Sequence, residues 1–112
     1  MDCLFCKIIS GEIPSKKVYE DEFVYAFYDI APQAPVHVLF IPKLHIAGID
    51  CITSDNSHVL PKIFESVAAT ARELGLENGY RVISNIGEHG QQSVRHLHFH
   101  LLGGKQLTCE MG

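Results

Sequence analysis

No stretch of this sequence is long and apolar. The longest uninterrupted hydrophobic run, Phe23 to Tyr28, is six residues, whereas a membrane-spanning helix needs about twenty. Basic excess is missing as well: nine Lys and Arg stand against thirteen Asp and Glu, for a formal charge of −4. Nucleic acid and anionic membrane surfaces both select concentrated Lys and Arg, so neither is an expected partner and any phosphate recognition must be local. The start, Met1-Asp2-Cys3-Leu4, lacks the basic residues and apolar stretch of a secretory signal, which predicts a cytoplasmic location. Four cysteines without an export signal are expected to be free thiols or metal ligands rather than a disulfide framework.

The 112 residues, 46% hydrophobic and 20% charged, suit one domain, residues 1–112, with a core of its own. Residues 4 to 10 suggest a short helix that Gly11 ends, and Ile13-Pro14 begins an extended passage. Val18 to Glu20 and Phe23 to Asp29 predict two strands joined by the acidic turn Asp21-Glu22. His37 to Ile41, β-branched and aromatic, predicts a third strand stopped by Pro42. Leu60, Ile63, Val67, Ala71 and Leu74 repeat at helical spacing, with Ser54, Asp55, Asn56 and Ser57 as capping candidates and Gly75 as the C-terminal stop. Pro61 must lie near the start of that helix, where its missing N–H costs little. Tyr80 to Asn85 and His96 to Leu102 predict two last strands around the loop Ile86 to Val94. The fold class is α+β with an antiparallel sheet.

Three of the seven histidines fall within five residues, in His96-Leu97-His98-Phe99-His100-Leu101-Leu102. Side chains of a strand alternate between faces, so Leu97, Phe99 and Leu101 are expected in the core and the three imidazoles on the opposite surface. Packing does not ask for that pattern. Imidazole titrates near neutrality and serves as nucleophile, proton donor or metal ligand, so the cluster is a chemical one. The preceding loop, Asn85-Ile86-Gly87-Glu88-His89-Gly90-Gln91-Gln92-Ser93, has glycines that let main-chain N–H groups approach a ligand. Asn85, Gln92 and Ser93 add neutral donors that can hold a phosphate without Lys or Arg. His58 and His89 are expected to face solvent.

Cys3-Leu4-Phe5-Cys6 is a separate feature. Two thiolates three positions apart can grip one zinc ion if histidines elsewhere complete the tetrahedron. A redox dithiol is the competing assignment, although no strand precedes Cys3 as such motifs normally require. Two ordinary reduced cysteines remain the third. Cys51 and Cys109 lack such spacing.

With these residues in view, the chain resembles the histidine-triad, or HIT, proteins, and most closely their Hint branch of nucleotide-binding proteins, in the bacterial type with an N-terminal C-x-x-C. Asp29-Ile30-Ala31-Pro32-Gln33-Ala34-Pro35, His37, Ile41-Pro42-Lys43, Gly79-Tyr80-Arg81, Gln92-Ser93-Val94 and His96 to Gly104 match in order. The resemblance implies a five-stranded antiparallel sheet with one long and one short helix, and a homodimer that extends the sheet through its edge strand. It implies hydrolysis at the α-phosphorus of a nucleotide through a nucleotidyl-histidine, with His98 as nucleophile, His100 contacting the phosphate and assisting the leaving group, a main-chain carbonyl of the triad strand orienting the nucleophile, His37 supporting that arrangement, and His96 completing the catalytic set. Taken alone, His37 reads as a satisfied structural histidine.

Phe5, Ile8, Phe27 and Ile30 would enclose a purine, Asp29 would accept from the ribose hydroxyls, and Asn85, Gln92 and Ser93 would hold the α-phosphate. Without the resemblance, the apolar four read as plain core and Asp29 as a strand-end turn former. Zinc-bearing relatives imply the ligand set Cys3, Cys6, His45 and His96, a structural site with no open position. The implied substrates are AMP or GMP linked to an amine, making the leading activity a purine nucleoside phosphoramidase. A dinucleoside polyphosphate hydrolase and a nucleotide-binding regulatory module are the alternatives. Two departures bear on specificity: Gln91 stands where relatives often carry Gly, and Arg95 where they often carry an aromatic residue. The segment Lys105 to Gly112 is expected, by the same resemblance, to approach the partner's active site.

Overall fold

A computed structural model describes residues 3–109. In chain order these form helix α1 (Leu4–Ser10), strands β1 (Lys17–Glu20), β2 (Val24–Tyr28) and β3 (Val36–Pro42), helix α2 (Val59–Glu73), and strands β4 (Tyr80–Ile83) and β5 (Phe99–Gly103). A short 3-10 turn, Ile49–Cys51, lies between β3 and α2. The strands make one sheet in the order β1-β2-β3-β5-β4, and each neighbouring pair is antiparallel.

Both faces of the central strands are covered, which is why the sequence around them reads as nearly continuous apolar residues. Val24, Ala26, Val38, Phe40, Phe99 and Leu101 pack on one face against Ile63 and Val67 of α2. Tyr25, Phe27, Leu39 and Ile41 point the other way and meet Phe5 and Ile8 of α1. Period-two alternation thus sorts one hydrophobic run into two cores. His37 shares the second face with Leu39 and Ile41, as does His100, which is paired across the ladder with Leu39. His37 and His100 therefore lie on the α1 side of the sheet.

The turn between β1 and β2 is acidic, as expected. Asp21 Oδ1 accepts from the main-chain N–H groups of Phe23 (2.7 Å) and Val24 (2.8 Å). Helix α2 ends in the left-handed glycine motif: Gly75, at φ +74°, donates its N–H to Arg72 O (3.2 Å), and Leu76 donates to Ala71 O (2.9 Å). Pro61 is the third residue of that helix, in the first turn, where no intrahelical donor is lost.

The structure corrects several boundaries. The last strand begins at Phe99, so His96 and His98 precede the ladder instead of belonging to a strand from His96 to Leu102. Pro42, the last residue of β3, has no N–H to continue the pairing, and the Leu97 N–H is taken by Ile46 O (2.6 Å). The alternation survives, because Leu97, Phe99 and Leu101 all enter the α2-side core. Pro42 itself pairs with Val24 at the end of the strand rather than lying beyond it. β2 is shorter than Phe23 to Asp29, and β4 stops at Ile83, two residues before Asn85.

The capping candidates do not cap α2. Its N-cap is His58, with no side-chain cap bond, because Asn56 is engaged one turn earlier with Thr53 N and Cys51 O. No helix among the described residues is long and apolar enough to cross a membrane.

Ile63 is fully buried where α2 meets the sheet. Replacing it with alanine should cost about 2–5 kcal/mol, measured as a lowered urea midpoint with an unchanged slope. A loss below about 0.5 kcal/mol would contradict this placement of the core.

Candidate active site

Backbone carbonyls set the histidine chemistry, because each ring nitrogen that faces a carbonyl must carry a proton. His98 Nδ1 donates to the carbonyl of His96 (2.7 Å). The other nitrogen, Nε2, keeps a free lone pair, which is the condition for a nucleophile. His96 Nε2 donates to Pro42 O (2.9 Å), leaving its Nδ1 as an acceptor. His37 presents the opposite case, since its Nδ1 accepts from the main-chain N–H of Gln33 (3.0 Å). Its Nε2 therefore bears the proton and donates to His100 Nδ1 (2.9 Å). His100 is left with its Nε2 protonated, a donor beside His98; the His98 and His100 rings are 5.1 Å apart.

Burial holds these rings neutral. His98 and His37 titrate below the ordinary imidazole range because both are desolvated, and the nearby Asp29 carboxylate offsets part of that shift in each. His100 is pushed down to about 4, first by burial and then by repulsion from His98 and His37. His96 also falls to about 4 for the same first reason, against the pull of its bond to Pro42.

These groups open on a cleft of about 980 Å³. Phe5 and Ile8 of α1, with Phe27 and Leu39 of the sheet, form its apolar wall, and Asp29, His37, His98, His100 and Ser93 line its polar end. Phe5 stands edge-on to both Phe27 and His98, so one residue joins the wall to the His98 ring. Ile30 also borders the cleft but is fully exposed, a rim residue rather than part of the wall. Leu39 was not anticipated, although its spacing of two from His37 was the signal. The Gln33 amide is a main-chain group with no sequence signal.

Two further residues expected at the phosphate are placed differently. Asn85 Nδ2 donates to Gly90 O (2.8 Å), and the Gln92 amide is engaged with main-chain groups on both sides. Neither lines the cleft; both brace the loop that carries Ser93. Gly90 has to be glycine, since a Cβ there would strike the main chain of Ile86. Gln91 holds the left-handed conformation at φ 59°, a backbone region that favours glycine. His58 and His89 are exposed.

Cys3, Cys6, His45 and His96 form a second centre behind the triad, their ligand atoms all within 4.8 Å of one another. Cys3 Sγ is 3.4 Å from His96 Nδ1, Cys6 Sγ is 3.3 Å from His45 Nδ1 and 3.6 Å from His96 Nδ1, and the two Nδ1 atoms are 3.1 Å apart. A tetrahedral ion with sulfur at about 2.3 Å and nitrogen at about 2.05 Å gives S···N edges of roughly 3.6 Å and N···N edges of roughly 3.4 Å. The donor set fits such an ion, because the bond to Pro42 leaves the His96 Nδ1 lone pair aimed into the cluster. Asp29, His37 and His100 also approach one another, but there the fit fails. A metal on His37 Nε2 would move the proton to Nδ1, against the Gln33 N–H.

Comparison with known proteins defines the family. The family model described as "Scavenger mRNA decapping enzyme C-term binding" matches residues 2–111. A purine nucleoside phosphoramidase of Escherichia coli is 44% identical, covering 95% of this chain and 90% of its own. A 14 kDa zinc-binding protein of Brassica juncea is 43% identical, covering 99% of this chain and all of its own. A HIT family hydrolase from Clostridium thermocellum superposes with a TM-score of 0.95 at 49% identity, over 98% of this chain and 96% of that one. The chain belongs to the histidine-triad (HIT) family, to which that hydrolase also belongs.

The depressed imidazole of His100 predicts how stability varies with pH. The unfolded chain protonates near 6.5 and the folded one only near 4, so the contribution is complete above pH 6.5 and is lost as pH falls toward 4. Urea midpoints should decline over that window, and less steeply in His100→Gln. Parallel declines in the two proteins would contradict the assignment.

Proposed function

We propose that the cleft hydrolyses purine nucleoside phosphoramidates, AMP or GMP joined to an amine, through a nucleotidyl intermediate on His98. The observation that carries this reading is the His98 ring, tied through Nδ1 to the His96 carbonyl with Nε2 free, beside the apolar wall of Phe5, Ile8 and Phe27. The purine lies between Phe5, Ile8 and Phe27, with Ile30 at the rim. Asp29 accepts from the ribose hydroxyls, and Ser93 with the loop amides meets the α-phosphate.

Once the substrate nitrogen is protonated from solvent, His98 Nε2 attacks phosphorus in line; the Nε2–P bond forms, the P–N bond breaks and the amine leaves neutral. The positive charge that develops on His98 is met by the His96 carbonyl at Nδ1. His100, through its Nε2–H, donates to a phosphoryl oxygen, while His37 keeps that proton in place. Water then attacks phosphorus, one of its protons returns to solvent, and the nucleoside monophosphate departs as His98 is released. The phosphoramidase name of the Escherichia coli relative supports this substrate over a dinucleoside polyphosphate.

Zinc at Cys3, Cys6, His45 and His96 belongs to the same proposal, supported by the name of the Brassica relative and by the tetrahedral edges. Its contribution is structural, a cross-link that fastens α1, and so Phe5 and Ile8, onto the triad. The protein acts as a homodimer, and a second copy pairs along the open edge of β4, where Tyr80 and Val82 are exposed, and against Phe64 of α2.

Release of AMP from an adenosine phosphoramidate should be rapid in the wild type and fall by about 10⁴-fold or more in His98→Ala. Equal turnover in both proteins would remove His98 from the mechanism, and preference for diadenosine tetraphosphate would move the activity to the other substrate class. Metal analysis of protein purified without chelator should find about one zinc per chain, lost in Cys6→Ser. Less than about a tenth of an equivalent, with both thiols freely alkylated, would refute the site.

A further inference from the structure

Gln92 and Arg95 form a polar cluster that the reaction above leaves without a role. Gln92 Oε1 accepts from the Gly87 main-chain N–H (2.9 Å) and from Arg95 Nη1 (2.6 Å). The Gln92 Nε2 donates to the carbonyls of Ala47 (2.8 Å) and Val94 (3.0 Å). One primary amide thereby joins the segment after β3 to both ends of the loop that enters the triad. Behind it, Arg95 Nη2 stands 3.5 Å from Asp50 Oδ2 and 3.9 Å from Cys51 Sγ. Gly48 makes room for this arrangement, since a Cβ there would lie 2.8 Å from Asp50 Oδ1 and 3.2 Å from Arg95 Nη1.

The bond from Arg95 is charge-assisted, and such bonds are about twice as strong as neutral ones. It selects the amide orientation in which Oε1 faces Gly87 and Nε2 faces the two carbonyls. Ser93, the next residue after Gln92, lines the cleft with His98 and His100, whereas Arg95 does not line it. Arg95 and Asp50 are each about half exposed, so their pairing adds little to global stability.

We propose that Arg95 is a positioning residue for phosphoryl transfer: by holding Gln92 it fixes the loop from Gly87 to Ser93 in the geometry that meets the phosphoryl group. The inference rests on the nucleotidyl-transfer reading of the cleft. The base slot is built mainly from α1 and the sheet, with Val94 as the apolar contribution of this segment, so loosening the loop from Gly87 to Ser93 weakens the transition state far more than nucleoside binding.

Kinetics on an adenosine phosphoramidate, with AMP affinity by calorimetry, test the inference. Arg95→Met should lower kcat about tenfold while KM and the AMP dissociation constant change by less than about twofold. Arg95→Lys, which can bond Oε1 but lacks the second arm toward Asp50, should recover part of the loss. In a Gln92→Met background, Arg95→Met should add nothing further. Exchange of the Gly87 amide, followed by NMR, should quicken in Arg95→Met. A kcat within about twofold of wild type, or the full loss repeated in the Gln92→Met background, would overturn the proposal. A wild type without phosphoramidate turnover would instead defeat the proposed activity; Gly87 exchange then decides, and an unchanged rate overturns the brace as well.

Discussion

His98 is held by a single 2.7 Å bond from its Nδ1 to a carbonyl two residues earlier in the same chain, and the arrangement of the site follows from what that short link requires. The carbonyl of His96 is available because residues 96 to 98 stand ahead of the β5 ladder, where sheet pairing does not claim it. The segment is kept in place by other means: Leu97 is buried in the α2-side core and its N–H is bonded to Ile46 O, while the His96 ring is fastened to Pro42 O. A strand that began at His96 would carry the same side chains with a different set of free main-chain groups.

The same residue links the two centres. His96 orients the His98 ring through its carbonyl and offers Nδ1 to the Cys3, Cys6 and His45 cluster, so a disturbance at either place is felt at the other through one backbone segment. Helix α1 is the second shared part. Cys6 and the N-cap residue Cys3 face the cluster while Phe5 and Ile8 complete the wall of the cleft. Seven residues make a helix too short to be stable alone, and it is held here by packing on the sheet and by contacts with the histidines.

Much of this was legible in the residues. The alternation around His98 showed which residues enter the core, and the C-x-x-C spacing showed a metal candidate, because both depend on local periodicity. Asn85 and Gln92 were placed at the phosphate, yet they brace the loop, since a side-chain amide bonds whichever main-chain groups the fold brings near. The cap of α2 was missed for a similar reason: Asn56 found partners in the preceding turn.

The sequence by itself determined the strand and helix types, the two-sided core and the residue chemistry, since these follow from side-chain alternation, helical spacing and intrinsic pKa. Only the tertiary structure decided which nitrogen of each histidine carries the proton and where β5 begins. It also decided that His45 and His96, 51 residues apart, meet Cys3 and Cys6 at the start of α1. Those outcomes depend on carbonyls and N–H groups from distant segments, whose approach is set by packing and not by any residue near them in the chain.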